Sequence, residues 1–493
     1  MSIYKILAFF LVISFVSLCF VNFNLFVLAQ TETTFDNTAS TEAVTSINDA
    51  ILKSFVIISQ VAVLGIVFNY FFFSRFLSKK RGSSNNILNE SKEQSIYYYS
   101  RTLKKVSSIV VLCCISIIIF STCIILLQSY QLSQNLDLDL YSAFDILYTT
   151  SVGEVWLLRI VTSLVIIAMM IISYFVSKIG GKTNQGNNDD SNKITSNKTH
   201  NFRNNKLNQM FILIVMVLAS INLFSNSMVS HSNSLSSLST FAVPMDWIHF
   251  MAVSVWIGGL FYLSIILLKN LKPVDYNDAK SNSINPVSDI SNNIMSVHSI
   301  SISLMNFSFI VIIALCVIGI SGLYLGYIHL QDFNSVFNTS YGQILILKLA
   351  LAFPLIFIGR YNQLKIYKYT SLVANLVKNL SNNTTYEGIS NQYRENRIEL
   401  FRRLNRSLKI ESLLGITVLI VASFLSVTSP PSLEAINQVS TTIQDKGVND
   451  SGSAFFFYLV ISLVVIISAF GIVNFKKNQQ QIKKIFAITG GSG

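Results

Sequence analysis

The chain has 493 residues, of which 51% are hydrophobic and only 12% are charged, and its formal net charge is +12. So few charged side chains do not cover the surface of a soluble fold of this size, which excludes an ordinary soluble protein and indicates an integral membrane protein. The excess of basic residues would suggest a nucleic-acid partner in a soluble chain, so their distribution has to be examined before they are interpreted.

The N-terminal residues 1–30 combine Lys5 with an apolar run to Leu28 and the small residue Ala29. This pattern predicts a signal peptide or an uncleaved membrane anchor. In either case, the polar residues 31–50 are expected to form a short extracytoplasmic segment.

Nine further apolar runs are long enough to cross about 30 Å of hydrocarbon as helices. We therefore predict an all-α fold, a polytopic membrane helix bundle with about nine transmembrane helices after the N-terminal signal or anchor. The runs lie near residues 51–74, 106–128, 153–177, 209–229, 243–268, 304–328, 343–359, 410–428 and 454–475.

The segments between these runs alternate in basic residues. One set holds 31 of the 36 lysines and arginines, and the alternate set holds one, Lys446. By the positive-inside rule the basic set is cytoplasmic, which predicts a multi-pass protein of the plasma membrane with its mature N-terminus outside and its C-terminus inside. The net charge is thus explained without nucleic acid. The basic segments are 74–105, 178–208, 269–303, 360–409 and the tail after residue 475.

Two of the predicted cytoplasmic stretches, 178–208 and 270–300, are rich in Asn, Ser and Lys, and we expect them to be mobile linkers. The outer carboxylates Asp137, Asp139 and Asp145 fall in a predicted loop, where solvation explains them. We therefore predict that the protein is not an enzyme.

Two similar stretches suggest an internal repeat. "TSVGEVWLLR" at 150–159 and "TSYGQILILK" at 339–348 share Thr, Ser, Gly and Leu positions, and each runs from an outer loop into a helix. Copies in the same orientation predict a duplicated four-helix unit. The expected organisation is a first membrane half at 51–240, a second at 241–430, and an additional C-terminal helix with a cytoplasmic tail at 431–493.

Each copy ends in a cation, Arg159 or Lys348, about 9 Å below the outer surface at 1.5 Å per residue. Two explanations stay open at this point. The side chains snorkel to the interface, or they bind a carboxylate such as Glu154 or Asp246 and fix the outer mouth of the bundle.

Three of the five histidines are predicted at one membrane face: His231 at the end of helix 4, His249 in helix 5 and His329 at the end of helix 6. Met228 precedes His231 by one turn, and Met245 precedes His249 by one turn. Asp246 lies at an intermediate angle on the same helix as His249. Imidazole and thioether together suit copper, above all Cu(I). The set His249, His231, Met245, Met228, His329 and Asp246 is therefore the candidate copper site.

Three quoted stretches resemble the copper-resistance protein D family, the CopD domain. They are "MDWIHFMAVSVWIGGL", "SFIVIIALCVIGISGLYLGYIHLQDFNSVFNTSYGQILILKLALAFPLIFIGRYNQ" and "LFRRLNRSLKIESLLGITVLIVASFLSVTSPP". His249 matches the histidine of the family's D-x-x-H before its W-x-G-G. His231 matches a histidine that the family often places between Gly and Ala, although Ser230 precedes it here.

The resemblance implies about eight helices and copper handling, usually uptake into or across the cytoplasmic membrane, with a copper-binding β-sandwich outside. Residues 31–50 are too short for such a sandwich, so we expect any external copper-binding partner to be a separate chain. Copper uptake across the bilayer, with copper homeostasis or resistance as its purpose, is the first hypothesis. Cys123 and Cys316 near mid-membrane either relay copper or pack in the core.

Two other functions remain open from the sequence. The first is a b-type haem electron carrier, in which His231 or His329 pairs with His249 across the bundle. The second is a membrane scaffold that holds an external copper protein and transports nothing.

Overall fold

The computed structural model describes residues 39–79, 88–182, 193–231, 239–267, 286–330, 333–381 and 386–432. Its helices, numbered in chain order, are α1 (Ala39–Lys79), α2 (Leu88–Leu136), α3 (Leu140–Thr149), α4 (Ser151–Lys182), α5 (Lys193–Met228), α6, α7 (Pro286–Leu330), α8 (Ser335–Asn338), α9 (Ser340–Ser381) and α10 (Tyr386–Leu425). Helix α6 consists of four consecutive segments. They are the α-helical Ser239–Val253, the π-helical Ser254–Gly258, the α-helical Gly259–Phe261 and the π-helical Tyr262–Leu267.

Within the described ranges, eight helices are long and apolar enough to cross a membrane. This confirms the predicted all-α, polytopic membrane bundle. Helices α3 and α8 are the short ones, and each lies between two of the eight spans. The predicted signal or anchor at 1–30 and the ninth span near 454–475 lie outside the described residues.

Several helices extend beyond their apolar spans. Helix α1 begins at Ala39, inside the segment 31–50, whose extracytoplasmic position stays a prediction. The prediction of mobile linkers was wrong for the helical parts of two segments. Much of the predicted linkers 178–208 and 270–300 is helical, because α4, α5 and α7 extend beyond their apolar spans. Once a helix has nucleated, each added residue gains a hydrogen bond, so polar residues continue a helix that they would not start.

The predicted outer loop 129–152 is also mostly helical. Asp139 caps α3, because its carboxylate accepts a hydrogen bond from the Ser142 amide at 3.2 Å. These Ser142 hydrogen bonds favour the ionised form and lower the pKa of Asp139 below its ordinary value. The role of this carboxylate is therefore to begin a helix.

Helices α1 and α6 form the centre of the bundle. Helix α1 contacts α2 and α5 of the first half, and it also contacts α6 and α10 of the second half. Helix α6 contacts α7 and α10, and it contacts α5 across the boundary between the halves. Helices α4 and α9 lie at the periphery, where they pack on α5 and α10. The two halves are therefore joined through their central helices.

The contact between α1 and α6 is made by two glycines. A Cβ atom on Gly65 would lie 2.5 Å from the Gly258 Cα atom and would collide with the Ser254 carbonyl oxygen. Reciprocally, a Cβ atom on Gly258 would lie 2.6 Å from the Gly65 Cα atom and 2.5 Å from the Val61 carbonyl oxygen. Each glycine thus faces the glycine of the other helix and the carbonyl group four residues before that glycine. Only residues without a side chain allow the two backbones to approach so closely.

The π-helical turns of α6 lie at this crossing. The Asn69 side-chain amide donates to the Gly65 carbonyl at 2.8 Å and to the Val255 carbonyl of α6 at 3.2 Å. A π-helical turn departs from the α-helical hydrogen-bond pattern, so a carbonyl in it benefits from an outside donor. Asn69 therefore ties the irregular part of α6 to α1.

The two stretches that suggested a repeat adopt the same local structure. Thr150 precedes α4, and its hydroxyl accepts a hydrogen bond from the Gly153 amide at 3.3 Å. Thr339 precedes α9, and its hydroxyl accepts from the Gly342 amide at 3.1 Å. In both copies a Cβ atom on the glycine would collide with a carbonyl oxygen of the short helix just before. The shared cap supports the predicted duplication.

The glycine crossing generates a stability prediction. Gly65→Ala and Gly258→Ala should each lower the free energy of unfolding by ~1–3 kcal/mol, because the added methyl group meets backbone that cannot move aside. The measurement is the thermal unfolding midpoint in mild detergent. Gly326→Ala is the matched control, since a Cβ atom there meets nothing within 4 Å. Equal stability of all three variants would contradict the close contact.

Candidate functional site

Two of the candidate histidines lie at the same end of the bundle, which we call the histidine face. This is the end where α5 and α7 finish and where α6 and α9 begin. His231 follows α5 and His329 lies in the last turn of α7. The short helices α3 and α8 precede α4 and α9 at this same end.

His231 is held among polar groups just beyond the membrane span of α5. Its Nε2 atom is buried and has no hydrogen-bond partner. Burial and the nearby positive charge of Lys53 lower the pKa of His231 below its ordinary value, against a smaller opposite effect of the Thr428 backbone. Lys53 itself forms an ion pair with Asp49, with an Nζ to Oδ2 distance of 2.7 Å. The neutral imidazole is the form that binds a metal ion.

His329 lies close enough to His231 for the two imidazoles to interact electrostatically. It is buried, and its ring meets the Tyr341 ring edge-on with 6.0 Å between the ring centroids. Tyr341 belongs to the first turn of α9, within the repeat stretch. The two histidines therefore approach from different helices, and Tyr341 fixes the ring of one of them.

Asp246 is the buried carboxylate beside this pair. Its Oδ2 atom is buried without a hydrogen-bond partner. The hydroxyl groups of Ser227 and Ser230, at the end of α5, lie next to its carboxyl group. Lys348 on α9 acts on it as a positive charge. The carboxylate is thus surrounded by donors and by one cation, and it adds a negative charge to the histidine face.

His249 lies one turn further into the span than Asp246. Its Nδ1 atom is 2.9 Å from the Ser321 hydroxyl oxygen, and that hydroxyl donates to the Val317 carbonyl at 2.6 Å. Because the serine proton is already used, the serine oxygen accepts from an Nδ1–H group of His249. The lone pair of the imidazole is then on Nε2. This is the arrangement of a metal-binding histidine whose other nitrogen is held by a second residue.

The backbone of α7 also positions the His249 ring. A Cβ atom on Gly322 would lie 3.2 Å from the His249 Cε1 atom. The ring therefore packs directly against α7, between the Ser321 hydroxyl and the Gly322 backbone. The contact of His249 with Ser321 and Gly322 was not predicted from the sequence. The stretch "GISG" at 319–322 in an apolar helix is nevertheless a small-residue pattern that permits close packing.

The candidate methionines differ in their surroundings. Met245 is half-buried, one turn before His249, whereas Met228 at the end of α5 is 39% exposed. Another methionine of α6, Met251, accepts a hydrogen bond at its sulfur from the Ser220 hydroxyl at 3.3 Å. Met245 is therefore the more enclosed of the two candidate thioethers.

The two buried-looking cations have different environments. The Arg159 guanidinium donates to the Ser225 hydroxyl at 2.5 Å, to the Ser225 carbonyl and to the Asn226 side chain, and it lies over the Trp156 ring. It does not snorkel, and these contacts join α4 to α5 through neutral oxygens. Lys348 instead lies near Asp246, as the carboxylate-binding hypothesis expected.

Among the described residues, no group of three or more His, Cys, Asp or Glu side chains is close enough to hold a metal ion. The six candidate residues therefore do not form one closed coordination sphere. They form a pair at the histidine face, His231 and His329, with Asp246 beside it and His249 deeper. Cys123 and Cys316 are half-buried, and Cys113 and Cys114 are buried in the core.

Comparison with known proteins agrees with the sequence resemblance. Residues 302–425, less than half of the chain, match the family described as Copper resistance protein D, which confirms that this part of the chain resembles that family. The chain is also 27% identical over 193 residues to the copper transport protein CutJ of Bacillus subtilis (strain 168). That alignment covers 39% of this chain and 26% of the relative, so the chain matches about a quarter of that protein's length. No solved structure matches.

The surroundings of His231 generate a pH prediction. A proton binds more weakly to folded His231 than to the unfolded chain, so protonation favours unfolding below the ordinary pKa of 6.5. His231 therefore contributes stability above pH 6.5, and this contribution falls as the pH drops toward its lowered pKa. We expect the thermal midpoint of the wild type, relative to His231→Gln, to decrease between pH 7.5 and pH 5.

His298→Gln is the matched control, because this residue lies in the first half of α7, far along the helix from His329. The difference in thermal midpoint between His298→Gln and the wild type should not show the same change between pH 7.5 and pH 5. A constant difference between wild type and His231→Gln across the pH range would contradict the lowered pKa.

Proposed function

We propose that this chain is a copper transporter that takes up copper across the plasma membrane, with the histidine face outside. The observation that carries the proposal is the pair of imidazoles, half-buried His231 with its buried Nε2 atom and buried His329, beside the buried carboxylate of Asp246. The CopD family match and the name of the similar B. subtilis protein support copper as the transported ion.

The chemistry of the pair favours Cu(I). A hard cation such as Ca²⁺ requires six to eight oxygen ligands. Cu(I) accepts soft and imidazole ligands at low coordination number, so two histidines are sufficient for a transient site. The missing partner of His231 Nε2 fits such a ligand. In this proposal Asp246 offsets the positive charge of the ion, and Met228 lies at the entrance.

We assign the next position to Met245 and His249. Met245 lies one helical turn before His249 and is half-buried, so it is suited to transfer copper from the histidine face into the span. His249 offers Nε2 as a ligand because Ser321 holds its other nitrogen. A shallow pair followed by a deeper single histidine is an arrangement for passing an ion onward. It provides no retained cofactor, and we assign no catalytic residue.

The direction of transport in this proposal rests on charge. The basic segments of the chain alternate with segments that carry Lys446 alone, and the positive-inside rule makes the basic ones cytoplasmic. The histidine face is then extracytoplasmic, with the mature N-terminus outside and the C-terminus inside. A separate external copper-binding protein would meet the histidine face and deliver copper there.

The first test is metal binding by protein purified in mild detergent. His231→Ala and His329→Ala should each weaken Cu(I) binding by at least about 10-fold, since loss of a ligand costs no less than loss of its supporting residue. Binding is measured by competition with a colorimetric Cu(I) chelator, with copper and iron content read by mass spectrometry. His298→Ala is the control.

The same variants separate the alternatives. Uptake of radioactive copper by cells should fall in His231→Ala and be retained in His298→Ala. Iron and a haem spectrum in the purified protein would replace the proposal with an electron carrier. If the purified protein binds neither metal, and cells that lack the protein take up copper normally, the membrane scaffold is the remaining function.

The contact between His249 and α7 gives a second prediction. Ser321→Ala removes the group that holds Nδ1, so His249 loses its fixed orientation, and we expect copper uptake to fall about 10-fold. Ser321→Thr keeps the hydroxyl and should retain most of the activity. If both variants take up copper at the wild-type rate, His249 is not a ligand oriented by Ser321.

A further inference from the structure

A second buried ionisable group lies at the end of the bundle opposite the histidine face, away from the candidate copper ligands. Glu411 belongs to α10, two residues after Lys409, where the basic segment 360–409 ends and the apolar run begins. The side chain is nevertheless only 2% exposed. A carboxyl group enclosed by protein is costly to ionise unless a partner is present, so it marks a candidate functional site.

One polar side chain accompanies it. The Asn362 amide nitrogen on α9 donates to the Glu411 Oε2 atom at 2.5 Å. Asn362 is 3% exposed, and its Oδ1 atom is buried with no hydrogen-bond partner. A Cβ atom on Gly359 would lie 3.1 Å from the other carboxyl oxygen, Oε1, so the glycine leaves room for the carboxyl group. The pair is thus enclosed, with one acceptor atom unused.

The charged side chains near Glu411 in sequence point away from it. Lys409, two residues earlier on α10, is exposed. On α9, Arg360 is exposed and donates to Gln363 at 2.8 Å, and Lys365 lies over the Tyr361 ring.

Two other helices contact α10. Helix α6 contributes Ser264, which accepts a hydrogen bond at 3.3 Å from Ser412, the residue after Glu411. On helix α1, the described ion pair of Lys53 with Asp49 lies at the other end of the bundle, near the histidine face. Among the described side chains, no cation neutralises the Glu411 carboxyl group. Ionising it inside the bundle therefore requires a positive charge that is not part of the described structure.

The Asn362 side chain suits both protonation states of Glu411. In the structure its amide nitrogen donates to Oε2, which fits an ionised carboxylate. Rotation of the amide by half a turn would present Oδ1 instead, as an acceptor for a protonated carboxyl group. A residue that is able to donate in one state and accept in the other lets the carboxyl group keep a hydrogen bond whether or not it carries the proton.

We propose that Glu411 is a proton-binding site and that copper crosses this protein in exchange for a proton. This inference rests on the proposed function. Without copper, Glu411 holds a proton and the span is neutral. When a Cu⁺ ion enters the span, the O–H bond of Glu411 breaks, the proton leaves to water on the face from which copper came, and the carboxylate balances the copper charge. When copper leaves to the opposite face, the carboxylate takes a proton from water on that face and the O–H bond forms again. Nothing is oxidised or reduced, and one positive charge replaces another.

The first experiment reads the carboxyl group directly. Infrared spectra of the full chain in lipid nanodiscs at pH 7 should contain the carbonyl stretch of a protonated carboxylic acid. Glu411→Gln, which keeps the size and the hydrogen bond, should lose that band, and adding Cu(I) should diminish it in the wild type. Glu154→Gln, at an exposed carboxylate of α4, is the matched control and should retain it. Identical spectra for wild type and Glu411→Gln would overturn the proposal.

The second experiment follows copper and protons together. Proteoliposomes with a pH-sensitive dye inside receive Cu(I), kept reduced by ascorbate, on the outside, and a potassium ionophore clamps the membrane potential. In the wild type, the internal pH should rise as copper enters. Glu411→Gln should reduce proton movement per copper at least 10-fold, and Glu154→Gln should not.

Each other outcome decides a different point. Copper entry in the wild type with no change in internal pH, or with acidification, would overturn proton exchange while the copper transporter stands. Absence of copper entry in the wild type would overturn the proposed function, and the exchange with it. Gly359→Ala, which displaces the carboxyl group without removing it, should lower proton movement per copper in part, and wild-type coupling in that variant would count against this site.

Discussion

The close approach of Gly65 and Gly258 governs how the two halves of this protein meet. Within a bilayer the hydrophobic effect does not drive helices together, so their association depends on packing and on polar contacts. Two facing glycines bring the backbones of α1 and α6 into direct contact, and Asn69 donates a hydrogen bond across the crossing. Because α10 packs on α1 and α5 packs on α6, this crossing also determines which residues of opposite halves become neighbours. The proximity of His231, just after α5, to Asp246, in α6, depends on it.

The buried polar residues of the bundle fall into two kinds. Arg159 and Asn222 are held by several hydrogen bonds to side chains and carbonyls of neighbouring helices. At the proposed sites, by contrast, His231 Nε2, Asp246 Oδ2 and Asn362 Oδ1 are buried without partners. A satisfied network stabilises a bundle, whereas an unsatisfied buried atom requires an explanation, such as a ligand or a proton that it binds. The family match at residues 302–425 falls in the second half of the chain.

The proposed copper ligands and Glu411 lie at opposite ends of the bundle, and charge connects them. A cation that crosses from the histidine face leaves the carboxylate of Asp246 and ends near the buried carboxyl group of Glu411. Moving an isolated charge into a medium of low polarity is unfavourable, and a carboxyl group that ionises as the cation arrives reduces the penalty. In the proposal, the histidine pair selects the ion by its ligand chemistry, and Glu411 sets the charge that is exchanged.

The sequence by itself determined the class of the protein, the eight described spans and the end of the bundle to which His231, His249 and His329 belong. Apolar length fixes where a chain crosses a bilayer, and each crossing reverses its direction. It also contained the shared cap of Thr150 and Thr339. The tertiary structure decided which helices lie side by side, because all lipid-facing helices look alike in hydropathy. The contacts of Gly65 with Gly258, Ser321 with His249 and Asn362 with Glu411 join segments of the chain that no local pattern relates. Polar residues beyond the spans, such as those that begin α5, were predicted to be linkers because their composition alone does not show that a helix is already formed next to them.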